Sequence, residues 1–437
     1  MKFNPKNKIG KIKPMHAVNN GPIKGRGDQT RDNFEAYKAA GIPYARNHDA
    51  SHSSSYGGCH CVDVNCVFTD FSKDVNDPSA YDFACTDKCI KETLDAGTET
   101  FYRLGASIEH WIKKYNTLPP ADFNKWAQIC EHIIRHYNEG WADGFNYDIQ
   151  YWEIWNEPDL DEDDNPNKRT WGGTKAQFFD LYEVAAKHLK SCFPNLKIGG
   201  PALAHREEWA DDFLAEMKKR NVPMDFFSWH IYCVTPEQLI EKSEKIKAIM
   251  DKNGYGDAES ILNEWNYVKG WSDEFVYSIE QIIGLKGAAF TASCMLSAQD
   301  STIDLLMYYD ARPCAFNGMF DIYTFRPFKG YYPFLMFNEL YKAGEQIECV
   351  NEDENIYAVG AVDKDGKVKL MIAYYTDDDS VTEAKEVEVS VEGLGNAEFS
   401  KFLVDADTNG EAGTVKLDSD GTAKITMTPN SFVLFRN

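Results

Sequence analysis

Residues 150–158 read Gln-Tyr-Trp-Glu-Ile-Trp-Asn-Glu-Pro, a short apolar run that ends in polar residues and a proline. A run of this length predicts a strand, Gln150–Trp155. Alternation along the strand places Glu153, Trp155 and Glu157 on one face, and Pro158 ends the strand just beyond them. The stretch therefore predicts a strand whose carboxyl end carries a glutamate.

Similar short strands occur on both sides of this one, separated by segments with helical periodicity. The predicted strands are Lys13–Asn19, Pro43–His48, Thr98–Leu104, Gln150–Trp155, Leu196–Gly200, Phe226–Tyr232, Ser260–Trp265 and Ile303–Tyr309. The clearest predicted helices are Asp122–Tyr137, Lys175–Cys192, Glu207–Arg220, Pro236–Asp251 and Phe275–Ser297. This alternation indicates an α/β fold, a (β/α)8 barrel over residues 14–344. A doubly wound open sheet is the alternative, but the sequence has no Gly-rich phosphate loop after a strand.

After about residue 345 helical periodicity gives way to short alternating runs such as residues 387–392. Turn signals at Asp365-Gly366, Asn409-Gly410 and Asp420-Gly421 separate these runs. The pattern predicts antiparallel hairpins, and hence a C-terminal antiparallel β-sandwich over residues 345–437. Residues 1–13 precede the barrel and are candidates for an additional strand of the sandwich.

The composition is that of a globular protein, with 43% hydrophobic and 26% charged residues among 437. The net charge of -23 disfavours nucleic acid and anionic membrane surfaces as partners. No apolar run has the length of a signal peptide or a membrane span. With an odd number of cysteines, 11, the sequence indicates a cytoplasmic protein with reduced thiols. A homo-oligomer is compatible with these features.

Two strand ends carry a glutamate in matching surroundings. The fourth predicted strand ends in Asn156-Glu157 and the seventh in Asn263-Glu264, each beside tryptophan. Functional residues of such barrels lie at the carboxyl ends of strands. A single glutamate there is usually a solvated carboxylate, but two in matching positions favour a pair that flanks a scissile bond, one as acid and one as nucleophile.

The stretch W-E-I-W-N-E-P-D-L, residues 152–160, resembles the acid/base motif of the clan A glycoside hydrolases, especially family 39. That family includes β-xylosidases and α-L-iduronidases, and its fold is a (β/α)8 barrel with an appended β-sandwich. The resemblance covers most of the chain. It implies that Glu157 is the general acid/base, that Asn156 holds the sugar 2-hydroxyl, and that Glu264 is the nucleophile.

The resemblance also implies several sugar-binding residues. It places His230 and Tyr232 of the sixth strand in the sugar pocket, with Tyr232 as a donor to Glu264. It places His48 and Asp49, after the second strand, against sugar hydroxyls. Arg46 precedes them, and its rigid guanidinium is suited to orienting a carboxylate.

Aromatic and polar residues at other strand ends are further candidates for the pocket. Trp265 and Trp271 have rings that can stack on a sugar face, although a core position is favoured for Trp271. His16 and Asn19 of the first strand and residues 308–312 of the eighth are weaker candidates of the same kind.

Several cysteines crowd the loop after the second strand, and His60 lies among them. They are Cys59, Cys61, Cys66, Cys85 and Cys89. Their spacing lacks paired C-x2-C motifs, so packed thiols are favoured over a zinc site and no metal is expected. The loop is expected to overlie the barrel mouth and to shape substrate specificity.

The sequence therefore predicts a retaining exo-glycosidase of β-xylosidase-like specificity that acts on an oligosaccharide or glycoside and needs no cofactor. No lysine stands beside residues 230–233 to neutralise a uronic acid, but Lys269 and Arg312 keep an iduronidase open. Arabinosidase and galactosidase specificities are further alternatives. A non-catalytic carbohydrate-binding barrel and a zinc enzyme centred on the cysteine loop are the alternatives from other classes.

Overall fold

A closed barrel of eight parallel strands forms the centre of the computed structural model. The structure describes residues 1–25, 31–49, 51–53 and 57–437, without the side chains of residues 51–53 and 57–59. The barrel strands are β2 (Ala17–Asn19), β3 (Tyr44–Arg46), β6 (Glu99–Leu104), β7 (Tyr151–Ile154), β8 (Lys197–Leu203), β9 (Phe226–Cys233), β10 (Glu259–Tyr267) and β11 (Leu305–Tyr308). They pair in chain order, and β11 closes the barrel on β2. The predicted (β/α)8 barrel is thus confirmed.

Helices follow the barrel strands and pack around them. They are α1 (Phe34–Ala40), α2 (Val64–Val67), α3 (Ala84–Asp95), α4 (Phe123–Glu139), α5 (Lys175–Cys192), α6 (Glu207–Lys219), α7 (Pro236–Lys252), α8 (Phe275–Ile282), α9 (Leu285–Gln299) and α10 (Tyr332–Ala343). Capping boxes at Thr174 and Thr235 fix where α5 and α7 begin. The single predicted helix Phe275–Ser297 is wrong, because Gly284 adopts an extended conformation that separates α8 from α9.

The loop after β3 contains a two-stranded hairpin of β4 (Ser51–Ser53) and β5 (Gly57–His60). Helix α2 and a 3-10 turn, Pro78–Ala80, follow before α3 begins. This long connection lies at the carboxyl ends of the barrel strands, since it leaves from the end of β3.

The C-terminal region forms one nine-stranded sheet, ordered β17-β16-β19-β14-β13-β12-β1-β15-β18. Its strands are β1 (Lys2–Lys11), β12 (Glu345–Val350), β13 (Ile356–Val362), β14 (Val368–Tyr374), β15 (Lys385–Val391), β16 (Glu398–Val404), β17 (Asn409–Lys416), β18 (Thr422–Met427) and β19 (Ser431–Arg436). All pairs but one are antiparallel. The exception is β1 with β15, so the prediction of a purely antiparallel sandwich is corrected at this pair.

One of the predicted turns is also wrong. Asn409-Gly410 lies inside the paired region of β16 and β17, where Val404 faces Asn409 across the ladder. The turn comes earlier, where the Asp405 side chain accepts hydrogen bonds from the backbone of Asp407 and Thr408. Aspartate forms such turns without glycine, so Gly410 is a strand residue.

The sheet buries side chains on both faces. Phe3 and the alternating Val387, Val389 and Val391 lie in a core enclosed by the sheet itself. Residues of the opposite face, including Met371 and Leu434, belong to the core that the barrel helices share. The sheet is therefore packed directly on the barrel. In the part of the chain that the structure describes, no helix is long and apolar enough to span a bilayer.

Candidate active site

The backbone leaves strand geometry just before Glu157. Strand β7 ends at Ile154, and both Trp155 and Glu157 adopt left-handed backbone conformations, with φ of 76° and 49°. Residues other than glycine rarely adopt this backbone conformation, and those that do are concentrated at functional sites. The amide of Glu157 donates to the Ala202 carbonyl of β8 at 2.9 Å, which holds the turn in place.

These conformations end the simple alternation that the sequence predicted. Glu153 still points into the barrel, where it contacts side chains of other strands. Trp155 turns away and packs against Trp126 and Trp171, with ring centroids 6.0 and 5.0 Å away. The prediction of one shared face is therefore wrong for Trp155.

The structure brings Glu157 of the fourth barrel strand, His230 of the sixth and Glu264 of the seventh together. Nδ1 of His230 lies 2.8 Å from Glu157 Oε1 and 3.7 Å from Glu264 Oε2. The three groups offer atoms that all lie within 4.8 Å of one another. Glu157 and Glu264 are mostly buried, with 13% and 8% of their side chains exposed. The arrangement is a pair of facing carboxyl groups with an imidazole beside them.

Glu264 is surrounded by hydrogen-bond donors. The Tyr232 hydroxyl donates to Oε1 at 2.6 Å, and Nη1 of Arg46 lies 3.3 Å from Oε2. Burial raises the pKa of Glu264 to about 7, and the Glu157 carboxylate adds to this, whereas His230, Arg46 and Tyr232 oppose it. These donors favour the ionised form of Glu264 over that of its partner.

Glu157 has a less favourable environment for a negative charge. Burial raises the pKa of Glu157 to about 8, and the Asp159 carboxylate adds to the shift, while Arg46 and Arg169 oppose it. Among the carboxylates that raise the pKa of Glu157, Asp159 acts most strongly. Burial also lowers the pKa of His230 to about 4, so this imidazole is neutral at pH 7.

Asp159 was missed by the sequence argument, although it stands in the motif two residues after Glu157. It is fully buried, and its carboxylate accepts backbone hydrogen bonds from Ala204, His205 and Arg206 at 2.7, 3.0 and 3.0 Å. These contacts fasten the loop after β7 to the loop after β8. Its position directly after Glu157-Pro158 was the signal that could have identified it.

A buried polar layer lies beneath the two carboxyl groups. Arg46 donates to Glu153 Oε2 at 2.7 Å, to Asn156 Oδ1 at 2.6 Å and to Asn19 Oδ1 at 3.1 Å. The Ser228 hydroxyl donates to the other oxygen of Glu153 at 2.6 Å. Arg46 therefore orients Glu153 and Asn156 as well as Glu264.

His48 and Asp49 lie on the neighbouring side of the mouth. Nε of Arg103 donates to His48 Nδ1 at 3.2 Å, which leaves the proton of the neutral ring on Nε2. The Tyr309 hydroxyl donates to Asp49 Oδ2 at 2.5 Å. Burial opposes ionisation of Asp49, but the nearby His48 and Arg312 outweigh it and hold the pKa of Asp49 below its usual range.

The structure reverses the positions predicted for Trp265 and Trp271. Trp265 is fully buried and packs against Phe290 of α9 and Tyr308, so its assignment to the sugar pocket is corrected. Alternation along β10 explains this, because Glu264 points inward and its neighbour must point outward. Trp271, by contrast, is 61% exposed and meets Tyr232 edge to face, with centroids 4.9 Å apart. Trp271 is thus the ring available at the mouth.

The two candidates of the first strand, Asn19 and His16, lie in different environments. Asn19 belongs to the polar layer and donates to the carbonyl of Asn263 at 2.8 Å. His16 is buried against Phe337 and Tyr341 of α10, outside the barrel. Burial lowers the pKa of His16 to about 3, so it is a neutral core residue.

The cysteine loop contributes to packing near the mouth. Sγ of Cys61 lies 3.5 Å from Sγ of Cys89, and Cys61 is buried. Within the described ranges, the groups with metal-ligand geometry are Glu131–His188–Cys192 and Glu157–His230–Glu264, and neither includes these thiols. The side chain of Cys59 lies outside the described residues.

The raised pKa of Glu157 predicts how stability depends on pH. The native state binds the proton more tightly than the unfolded chain, so the unfolding free energy should fall as pH rises from about 4.5 towards 8. Glu157→Gln removes the contribution of Glu157 to this dependence, while that of Glu264, whose pKa is also raised, remains. We expect the variant to gain stability relative to the wild type across this window, by up to about 1.4 kcal/mol per pH unit.

Urea unfolding at several pH values measures this difference. Glu208→Gln, on the exposed surface of α6, is the control and should parallel the wild type. A constant difference between Glu157→Gln and the wild type from pH 5 to pH 8 would contradict the proton uptake assigned to Glu157.

Comparison with known proteins connects this site to a family. The family model for "Glycosyl hydrolases family 39" matches residues 42–277. A β-xylosidase of Geobacillus stearothermophilus is 26% identical over an alignment of 330 residues, and the match covers 64% of this chain and 61% of that protein. One of Caldicellulosiruptor saccharolyticus is 26% identical over 337 residues, covering 70% of this chain and 63% of the relative. The chain thus spans about three fifths of the length of these curated relatives.

A solved structure supports the fold over the whole chain. The glucosidase of Croceicoccus marinus superposes with a TM-score of 0.77 at 22% identity, covering 100% of this chain and 98% of that one. The matched model covers more than half of the sequence and contains both glutamates. On this evidence, the chain belongs to glycosyl hydrolase family 39.

Proposed function

We propose that this protein is a retaining exo-glycosidase of β-xylosidase-like specificity, with Glu264 as nucleophile and Glu157 as general acid and base. The observation that carries the proposal is the closeness of the two carboxyl groups, which offer oxygens within 4.8 Å of each other. Retaining glycosidases hold their carboxyl groups about 5–5.5 Å apart, whereas inverting enzymes leave about 6.5–9.5 Å for a water molecule. The spacing here supports the retaining class.

In the first step, the Glu264 carboxylate bonds to the anomeric carbon while the bond to the leaving oxygen breaks. Glu157 gives its proton to that oxygen. In the second step, Glu157 takes a proton from water, the water oxygen bonds to the anomeric carbon, and the ester to Glu264 breaks. One water is consumed, and the sugar retains its configuration.

The surroundings of the pair support this division of roles. The donors Tyr232 and Arg46 favour an ionised Glu264, which a nucleophile requires. Burial and Asp159 keep the proton on Glu157, which an acid requires. When Glu264 becomes an ester its negative charge disappears, and Glu157 can then ionise more easily and act as the base.

Three observations favour a neutral sugar such as xylose. Two of the matched relatives are β-xylosidases. Nη2 of Arg312 lies 3.3 Å from Asp310 Oδ2, and Nη1 donates to the Asp49 carbonyl at 2.6 Å. The charge of the guanidinium is therefore already compensated within the protein. Lys269 is exposed and lies over the ring of Tyr277.

Lys242 of α7 favours a second candidate function, the hydrolysis of glycosides of a uronic acid. Burial lowers the pKa of Lys242, while the carboxylates of Asp159, Glu207 and Glu157 act in the opposite direction. Among the described residues it forms no ion pair within 4.0 Å. A substrate carboxylate would compensate this charge.

Removal of the proposed nucleophile should abolish turnover. We expect Glu264→Ala to lose about 10⁴-fold or more in kcat on a nitrophenyl xyloside, because no covalent intermediate can form. Azide should restore part of the rate and yield a glycosyl azide of inverted configuration, which proton NMR identifies. Glu208→Ala is the surface control. A Glu264→Ala variant that folds and retains near wild-type activity would refute the assignment.

The acid role of Glu157 should depend on the leaving group. Glu157→Gln keeps the shape but cannot donate a proton, so kcat/KM should fall strongly for poor leaving groups and far less for dinitrophenyl glycosides. The covalent intermediate should accumulate with the latter, because base catalysis is lost as well. Measurement across a series of aryl glycosides gives the answer. An equal deficit for all leaving groups would assign the proton transfer to another residue.

A panel of nitrophenyl glycosides should separate the two candidate specificities. We expect the xyloside to be hydrolysed about tenfold or more faster than arabinosides, galactosides and uronides. Lys242→Met should leave the xyloside rate close to that of the wild type. A uronide as the fastest substrate, with kcat/KM reduced by Lys242→Met, would instead favour the uronic acid candidate.

A further inference from the structure

A cavity lies at the same end of the barrel as Glu157 and Glu264. It has a volume of about 330 Å³ and opens between the loop after β3 and the loop after β6. Its floor is formed by Trp126 of α4 and by Trp155, which directly precedes Asn156. The mechanism proposed above does not use it, and its volume is at the lower end of the range of small-molecule sites.

The lining combines aromatic rings with neutral polar groups. Phe71 and Tyr115 stand on the walls, and Asn65 and Asn116 lie between them. None of the described lining side chains is charged, although the protein carries a net charge of -23. Flat apolar faces next to neutral donors and acceptors match a sugar ring, which presents C–H faces and hydroxyl edges.

The two asparagines are already held in place. Nδ2 of Asn65 donates to the backbone carbonyl of Asn116 at 3.1 Å. Asn65 Oδ1 and Asn116 Nδ2 have no hydrogen-bond partner in the described part of the chain, so one acceptor and one donor remain for a ligand. A neutral hydroxyl can use both at once, whereas a carboxylate or phosphate finds only the donor.

A short chain of hydrogen bonds connects the cavity with the catalytic pair. Nε1 of Trp155 donates to the carbonyl of Thr170 at 2.9 Å, and the Thr170 hydroxyl donates to the carbonyl of Glu157 at 2.5 Å. The ring that forms the floor of the cavity is therefore two hydrogen bonds from the backbone of the proposed acid.

We propose that this cavity is a second carbohydrate-binding site, which holds a neutral sugar unit of an oligosaccharide next to the catalytic site. The choice of a sugar as the ligand rests on the proposed function. The aromatic and polar lining of the cavity is observed independently of that function. Such a site would retain a neutral chain near Glu157 and would discriminate against chains whose sugar carries a charge at this position.

Titration of the protein with xylotriose tests the proposal. The substitution Glu264→Gln is introduced into every protein so that the sugar is not consumed, and binding is followed by calorimetry and by tryptophan fluorescence, since two tryptophans form the floor. Asn116→Ala and Tyr115→Ala should each weaken binding by about three- to tenfold. Trp111→Ala, on the same loop but not in the lining, is the matched control and should bind as the parent does.

Rates measured in the background of the intact Glu264 distinguish the possible failures. The cavity variants should hydrolyse nitrophenyl xyloside at the parent rate and lose activity on xylotriose through a raised KM. If no glycoside is hydrolysed but the cavity variants still weaken xylotriose binding, the inference stands and the proposed function fails. Unchanged xylotriose binding in both cavity variants, or equal affinity for a uronic acid trisaccharide, would overturn the inference.

Discussion

The buried guanidinium of Arg46 is the group on which the centre of the barrel depends. It is fully buried and contacts Glu153, Glu264, Asn156 and Asn19. Without it, two carboxyl groups would lie in the barrel interior with no cation beside them, and breaking a buried ion pair in this way typically costs about 3–5 kcal/mol. The same contacts fix the side chains on either side of the glutamate pair, so charge compensation and orientation come from one residue.

The backbone conformation determines where the side chains of Glu157 and Trp155 point. Left-handed conformations at Trp155, Glu157 and Ala202 stand at the ends of two neighbouring strands. They turn Glu157 back over the mouth and send Trp155 into the surrounding helices. Local strain of this kind persists only where neighbouring contacts determine it, and the buried carboxylate of Asp159 provides them by joining the two loops.

The sequence was sufficient for the fold and the family, because eight strands alternating with helices have few other solutions and the motif at residues 152–160 is specific. It also predicted that Glu157 and Glu264 lie at the same end of the barrel, where the structure brings them together. Prediction from the sequence was wrong where the direction of a side chain depends on the local backbone conformation. Alternation assigned Trp155 to the wrong face, and the roles of Trp265 and Trp271 depend on one residue of register and on where β10 ends. Asp159 was missed although it directly follows Glu157-Pro158, because the amide groups that it binds belong to a loop about 45 residues away in the sequence.

Strand β1 has a consequence for the synthesis of the protein. Lys2 pairs with Val350 on one side and with Ser390 on the other, so the strand is translated long before either partner exists. At about 5–20 residues per second, it waits for tens of seconds with both edges unpaired on the nascent chain. Its sequence, KFNPKNKIGK, contains four lysines and a proline, features by which natural strands resist pairing with other chains. The charges that are exposed on the finished sheet thus also protect the unfinished one on the ribosome.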